Sequence, residues 1–117
     1  MEAITVKELL AAVHGELLQG EGTAKILGVN TDSRTVKAGE VFLPLVGERF
    51  DGHDYIEKAL SAGAEGCLCA RVPEVLLPGK FYIKVADTLL ALKNLAAWYR
   101  ARFTIPFVQV TGSVGKT

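Results

Sequence analysis

Three stretches of this sequence bring ligand-binding or reactive side chains together. The first is Thr111-Gly112-Ser113-Val114-Gly115-Lys116-Thr117, directly after the apolar run Phe107-Val108-Gln109-Val110. Gly112 and Gly115 let the backbone turn tightly, so that its N–H groups, those of Ser113 and Val114 among them, come against phosphate oxygens. The Lys116 ammonium then reaches the outer phosphates, and the Thr117 hydroxyl can ligate Mg²⁺. The general phosphate-loop pattern has a glycine where Val110 stands, so the match is to a shorter Gly-x-x-Gly-Lys-Thr form. An ordinary glycine-rich turn is the competing reading. The position right after a strand pattern favours phosphate.

The second stretch is Asn30-Thr31-Asp32-Ser33-Arg34, polar residues just after an apolar run. The Ser33 hydroxyl and Arg34 guanidinium are donors suited to a diphosphate or a sugar, and an Asx-type turn with a surface arginine is the plainer alternative. The third, Gly47-Glu48-Arg49-Phe50-Asp51-Gly52-His53, holds an acid, a guanidinium, an aromatic face and an imidazole. Phe50 can stack on a base while Arg49 pairs with phosphate; equally, Phe50 can pack beside Tyr55 while Asp51 and His53 shape a turn. No nucleophile, base and orienting partner assemble around His53, so a catalytic role for it has no support.

The elements that must hold these loops are legible as punctuation. Thr5 and Glu8 form a capping box for a helix carrying Val6, Leu9, Leu10 and Val13 on one face, with Gly15 as its left-handed stop after His14. His14 ends that helix, where a cation complements the dipole. Short strands follow at Leu17-Leu18 and Ile26–Val29, then Val41–Val46, which Pro44 confines to an edge or ends early. Asp54 and Glu57 read as a second capping box for a helix from Tyr55 to Ala62. Strands at Glu65–Ala70 and Phe81–Val85 come next, and Cys67 and Cys69 point to one side as core thiols. Asp87 caps the longest helix, Thr88 to about Phe103, with Leu89, Leu92, Leu95, Ala96, Tyr99 and Phe103 as its apolar stripe. Strands alternating with helices predict an α/β sheet covered by helices.

Composition narrows the classes. With 117 residues, half of them hydrophobic, the chain can bury one ordinary core. Its formal net charge of +0 leaves no electrostatic footprint for nucleic acid or an anionic membrane. No apolar run reaches bilayer length and the N-terminus lacks a signal-peptide pattern, which predicts a cytoplasmic protein without membrane insertion.

Four segments together resemble the Mur ligases, ATP-dependent enzymes that extend the peptide on UDP-N-acetylmuramic acid in bacterial cell-wall synthesis. They are Thr31–Arg34 with Lys37–Phe42, Gly47–Tyr55, Asp87–Leu92 and the phosphate loop, in the family's order along nearly the whole chain. The family's loop also lacks a glycine at the place of Val110. The resemblance implies a small open mixed sheet flanked by helices, followed by a linker helix and the first strand and phosphate loop of a second domain. Residues 1–86 are expected to bind the UDP end of the substrate, and residues 87–117 to begin the central ATP-binding domain.

By motif position, Ser33 and Arg34 would touch UDP, and Glu48, Arg49 and Phe50 would line the uridine or diphosphate pocket. Gly112, Ser113, Val114, Gly115, Lys116 and Thr117 would hold ATP, with Lys116 neutralising the transferring phosphoryl group and Thr117 on Mg²⁺. The Gly-Glu-Arg-Phe-Asp-Gly-His-Asp string and the Asp-Thr-Leu start of the long helix resemble the member that joins D-alanyl-D-alanine to UDP-N-acetylmuramoyl-tripeptide. The member that adds the third peptide residue is the alternative, and a non-catalytic nucleotide-sugar module stands behind both. The expected partners are these small molecules; the chain is expected to be a monomer, and alone not to turn over ATP.

Overall fold

The computed structural model describes residues 2–103. Among these residues seven strands, β1 (Ile4–Thr5), β2 (Glu16–Gln19), β3 (Lys25–Ile26), β4 (Gly28–Asn30), β5 (Glu40–Phe42), β6 (Gly66–Cys69) and β7 (Phe81–Lys84), are interspersed with helices α1 (Val6–Val13), α2 (Ile56–Ser61) and α3 (Thr88–Arg102). Five strands form one sheet in the order β2-β7-β6-β5-β4. Strands β4 to β7 run parallel, while β2 closes the far edge antiparallel to β7. β1 and β3 make a separate two-stranded ribbon that pairs Ile4 with Ile26. This is the mixed α/β sheet that the sequence predicts.

Alternation along the central strands sorts the core onto two faces, because successive strand side chains point to opposite sides. Val41, Leu68, Phe81, Ile83 and Val85 meet α1 and α3 on one face. Phe42, Cys67, Cys69 and Tyr82 meet α2 on the other. Both thiols are buried on that second face as the spacing required; the Cys69 sulfur beside it and its own burial push the Cys67 thiol up.

The α1 capping box is present: Thr5 Oγ1 accepts from the Glu8 N–H at 3.1 Å, and the Glu8 carboxylate accepts from the Thr5 N–H at 2.9 Å. Glu8 also pairs with Arg102 at 2.6 Å, tying the start of α1 to the end of α3. The left-handed stop falls one residue earlier than expected, on His14 itself, with φ at 55°. Gly15 is required for a different reason. A Cβ there would sit 2.5 Å from Ile83 Cγ2, where the chain crosses close over β7.

Other expectations shift in the same way. The run Ile26–Val29 divides at Leu27, so its first half pairs with β1 and its second with β5. β5 lies inside the sheet, and Pro44 marks its early end rather than an edge. Asp54 does not cap α2. A 3-10 turn over Gly52–Tyr55 comes first, and its cap is Asp51, whose side chain accepts from the His53 N–H at 2.9 Å. On α3 the buried stripe is Thr88, Ala91, Leu95 and Tyr99, whereas Leu89, expected inward, is 50% exposed. Leu95 and Tyr99 share one cluster with Ile4, Val6 and Leu9 of the first element pair, and the Glu2 N–H donates to the Tyr99 hydroxyl.

Candidate functional site

The two polar loops emerge from the carboxyl ends of neighbouring parallel strands, β4 and β5, the end of a parallel sheet where ligands bind in open α/β folds. After β4, side chains replace the strand's lost backbone partners. Asn30 Oδ1 accepts from the Asp32 N–H at 2.8 Å, and Asp32 Oδ1 accepts from the Arg34 N–H at 2.9 Å. These are two Asx turns in succession, each closing over two residues. The Asn30 amide also donates to Thr35 Oγ1 and to Glu40 Oε1, at 3.1 and 3.2 Å, anchoring the loop to the start of β5.

Arg34 is committed within this loop. Its Nε and Nη2 donate to the two carboxylate oxygens of Asp32 at 3.1 and 3.0 Å, a two-pronged ion pair. The Arg34 side-chain and backbone N–H groups hold the Asp32 carboxyl below the usual range. The pair is largely in solvent, with the Arg34 side chain 80% exposed, so it fixes geometry more than it adds stability.

After β5 the chain makes a tight hairpin. Val46 bridges Asp51, the Gly47 N–H donates to the Phe50 carbonyl at 2.6 Å, and the Gly52 N–H donates to the Leu45 carbonyl at 2.8 Å. Gly52 cannot be larger: a Cβ there would meet Leu45 N and Pro44 Cα at 2.9 Å, and both are backbone. His53 locks the base of this hairpin to the sheet. Its Nε2 accepts from the Ala70 N–H at 2.9 Å, so its Nδ1 carries the ring hydrogen and donates to Asp51 Oδ1 at 2.7 Å. Arg71 Nη2 bridges Asp51 and Asp54, at 3.1 Å to each. The His53 N–H, opposed by burial and helped by the His53 ring and Arg71, brings the Asp51 carboxyl down to about 2. His53 is therefore a structural tie.

Between the two loops lies a cavity of about 670 Å³, within the size range of small-molecule sites. One wall is polar, from Thr31, Asp32, Ser33 and Arg34. The other is Phe50 stacked on Tyr55, ring centroids 5.5 Å apart and planes inclined by 18°, with Lys58 one helical turn further on. Phe42 and Leu45 form part of the apolar lining. Phe50 is 52% exposed, so it packs beside Tyr55 and still presents ring surface to solvent.

The structure thus brings Ser33, Arg34 and Phe50 to one cavity. Glu48 and Arg49 sit exposed at the tip of the hairpin and are not among the residues that line the cavity. Tyr55 and Lys58 were missed as wall residues. The signal for them was their i, i+3 spacing at the start of α2, which puts both on one side of the chain. Residues Gly112, Ser113, Val114, Gly115, Lys116 and Thr117, with the strand before them, lie outside the described residues. No helix among the described residues is long and apolar enough to cross a membrane.

Residues 25–100 match the family model described as "Mur ligase family, catalytic domain". A UDP-N-acetylmuramoyl-tripeptide--D-alanyl-D-alanine ligase of Synechocystis is 47% identical over 93 residues, which is 80% of this chain and 20% of that protein. A UDP-N-acetylmuramoyl-L-alanyl-D-glutamate--2,6-diaminopimelate ligase of Bacteroides thetaiotaomicron is 40% identical over 114 residues, 96% of this chain and 24% of that protein. Among solved structures, UDP-N-acetylmuramoylalanyl-D-glutamyl-2,6-diaminopimelate--D-alanyl-D-alanyl ligase of Acinetobacter baumannii superposes with a TM-score of 0.78 at 33% identity. That match covers 87% of this chain and 22% of the solved one. The chain spans about a fifth to a quarter of the length of the curated relatives it matches.

Proposed function

The chain belongs to the Mur ligase family, and from that premise we propose that it is the UDP-binding part of the ligase that joins D-alanyl-D-alanine to UDP-N-acetylmuramoyl-tripeptide. The observation that carries the reading is the cavity at the ends of β4 and β5, with a hydroxyl and a paired loop on one wall and a stacked aromatic pair on the other. A flat base lies against the Phe50 ring, and the Ser33 hydroxyl faces the polar end of the ligand. Aromatic stacking tolerates any base, contributing on the order of 1–3 kcal/mol, so selectivity for uracil falls to the polar wall.

Residues 1–86 carry this function, and residues 87–117 begin the ATP-binding part, where Gly112 to Thr117 supply backbone N–H groups, the Lys116 ammonium and a Thr117 hydroxyl for Mg²⁺. In the full reaction, ATP phosphorylates the terminal carboxylate of the tripeptide, giving an acyl phosphate and ADP. The dipeptide amine then attacks the acyl carbon, forming the peptide bond and releasing phosphate. Positioning and charge neutralisation supply most of such catalysis. A cytoplasmic, monomeric protein acting on small molecules fits this chemistry.

The diaminopimelate-adding ligase is the second reading, supported by the 40% identity to the Bacteroides protein over nearly the whole chain. Both readings share the UDP end and differ in the peptide. The test is titration of the chain with UDP-N-acetylmuramoyl-tripeptide, followed by NMR chemical shifts. Shifts centred on Ser33, Phe50 and Tyr55, with millimolar or tighter binding, are expected. A folded chain that shows no shifts at millimolar ligand would refute the assignment. The substrate of the second reading, UDP-N-acetylmuramoyl-L-alanyl-D-glutamate, should bind this chain equally well, because it carries the same UDP moiety.

A further inference from the structure

Resting on the UDP reading, we propose that Lys58 is the residue that neutralises the diphosphate, and that Arg34, the more obvious candidate, is a positioning residue for its own loop. Two cationic side chains line the cavity. Both prongs of Arg34 are occupied by Asp32 at 3.0 and 3.1 Å, so the pair offers a ligand almost no net charge. Using Arg34 on a phosphate would mean breaking a two-pronged pair and leaving Asp32 as an anion on the same wall.

Lys58 has no such commitment: among the described residues no ion pair involves its ammonium. It stands one helical turn beyond Tyr55, beside the aromatic wall, so a base held on that wall carries its phosphates toward a free ammonium. A lysine also suits the task chemically, as a compact point charge on a flexible stem that can follow a mobile diphosphate. Since the chain has a net charge of +0, no general field collects an anion, and a local cation must.

The experiment compares uridine, UMP and UDP on the wild type and on Lys58→Gln, Lys58→Arg and Arg34→Gln, with affinities from chemical-shift titrations at two salt concentrations. Lys58 is on the exposed side of α2, so Lys58→Gln keeps the helix, and dispersed spectra verify each variant. For Lys58→Gln, UDP affinity is expected to fall about tenfold, the usual range for losing a charge-assisted contact, while uridine affinity stays within twofold. Added salt should weaken UDP binding to the wild type more than to Lys58→Gln. Lys58→Arg should retain most of the affinity, and Arg34→Gln should lose less than threefold.

An equal fall for uridine and UDP would overturn the inference by making Lys58 a part of the aromatic wall. So would an unchanged UDP affinity, or a larger loss in Arg34→Gln than in Lys58→Gln. If the folded wild type binds neither uridine nor UDP, the UDP reading fails first. If it binds both and only the Lys58 pattern is absent, that reading stands and the inference alone is lost.

Discussion

Asp51 shows how much of the site hangs on one side chain. Its carboxylate accepts from the His53 backbone and ring and from Arg71, and so joins the cavity hairpin to the segment just after β6. The group ionises near 3.8 in an ordinary setting and at about 2 here, so the folded state favours its charged form. That preference stabilises the fold fully above about pH 4. It fades as pH falls from there toward 2 and is gone below. Asp51→Asn should therefore be less stable than the wild type at pH 6, yet lose less of its urea midpoint between pH 5 and pH 2.5. Parallel loss in both proteins would show that Asp51 is not the group responsible. The roles of Asp51 and His53 as turn-formers were legible in the sequence, because an Asx side chain two residues before a backbone N–H has few other uses. Their bonds to Ala70 and Arg71 were not, since those partners lie 17 to 20 residues further along the chain. Glu48 and Arg49, whose chemistry suits a ligand, lie exposed at the two-residue tip of the hairpin.

At the scale of elements, caps and alternation were readable while faces were harder. The Thr5 box and the Asp87 cap, which accepts from the Leu90 N–H at 3.0 Å, both stand where local sequence put them. α3 begins with Leu89 and Leu90, however, and two adjacent leucines fit a stripe on either side. Tertiary packing decides for Ala91, Leu95 and Tyr99, with the small Ala91 nearest the start of the helix; Leu89 and Leu90 are 50% and 53% exposed. Two alanine variants separate these faces. Leu95→Ala removes a wholly buried side chain and should cost about 2–5 kcal/mol. Leu89→Ala should stay within about 0.5 kcal/mol. Urea unfolding monitored by Trp98 fluorescence gives both values, and similar costs for the two would mean the helix is rotated from the face described.

For the molecule as a whole, the functional division proposed after Ala86 and the folding unit do not coincide. α3 begins beyond that division, yet Leu95 and Tyr99 are wholly buried in the same cluster as Ile4, Val6, Leu9 and Val13. Arg102 reaches back to Glu8, and the Glu2 N–H donates to Tyr99, so the last described helix is held by the first residues of the chain. α2 covers the opposite face of the sheet and cannot substitute for it. Removing α3 would expose to water the residues that it covers, Ile4, Val6, Leu9 and Val13 among them. At about 1.5–3 kcal/mol for each large apolar side chain, the loss rivals the roughly 5–15 kcal/mol that holds a domain of this kind together. A chain of residues 1–86, although it contains every wall residue of the cavity, should therefore show collapsed amide dispersion and no cooperative urea transition. Residues 1–103 should retain both, along with the shifts that UDP induces at Ser33 and Phe50. Cooperative unfolding of 1–86 with the cavity still binding UDP would refute this, and would make the long helix an appendage of the next domain. The expected result instead makes α3 part of the folding unit that holds the cavity, because its buried face packs with α1 although the proposed functional division falls before it.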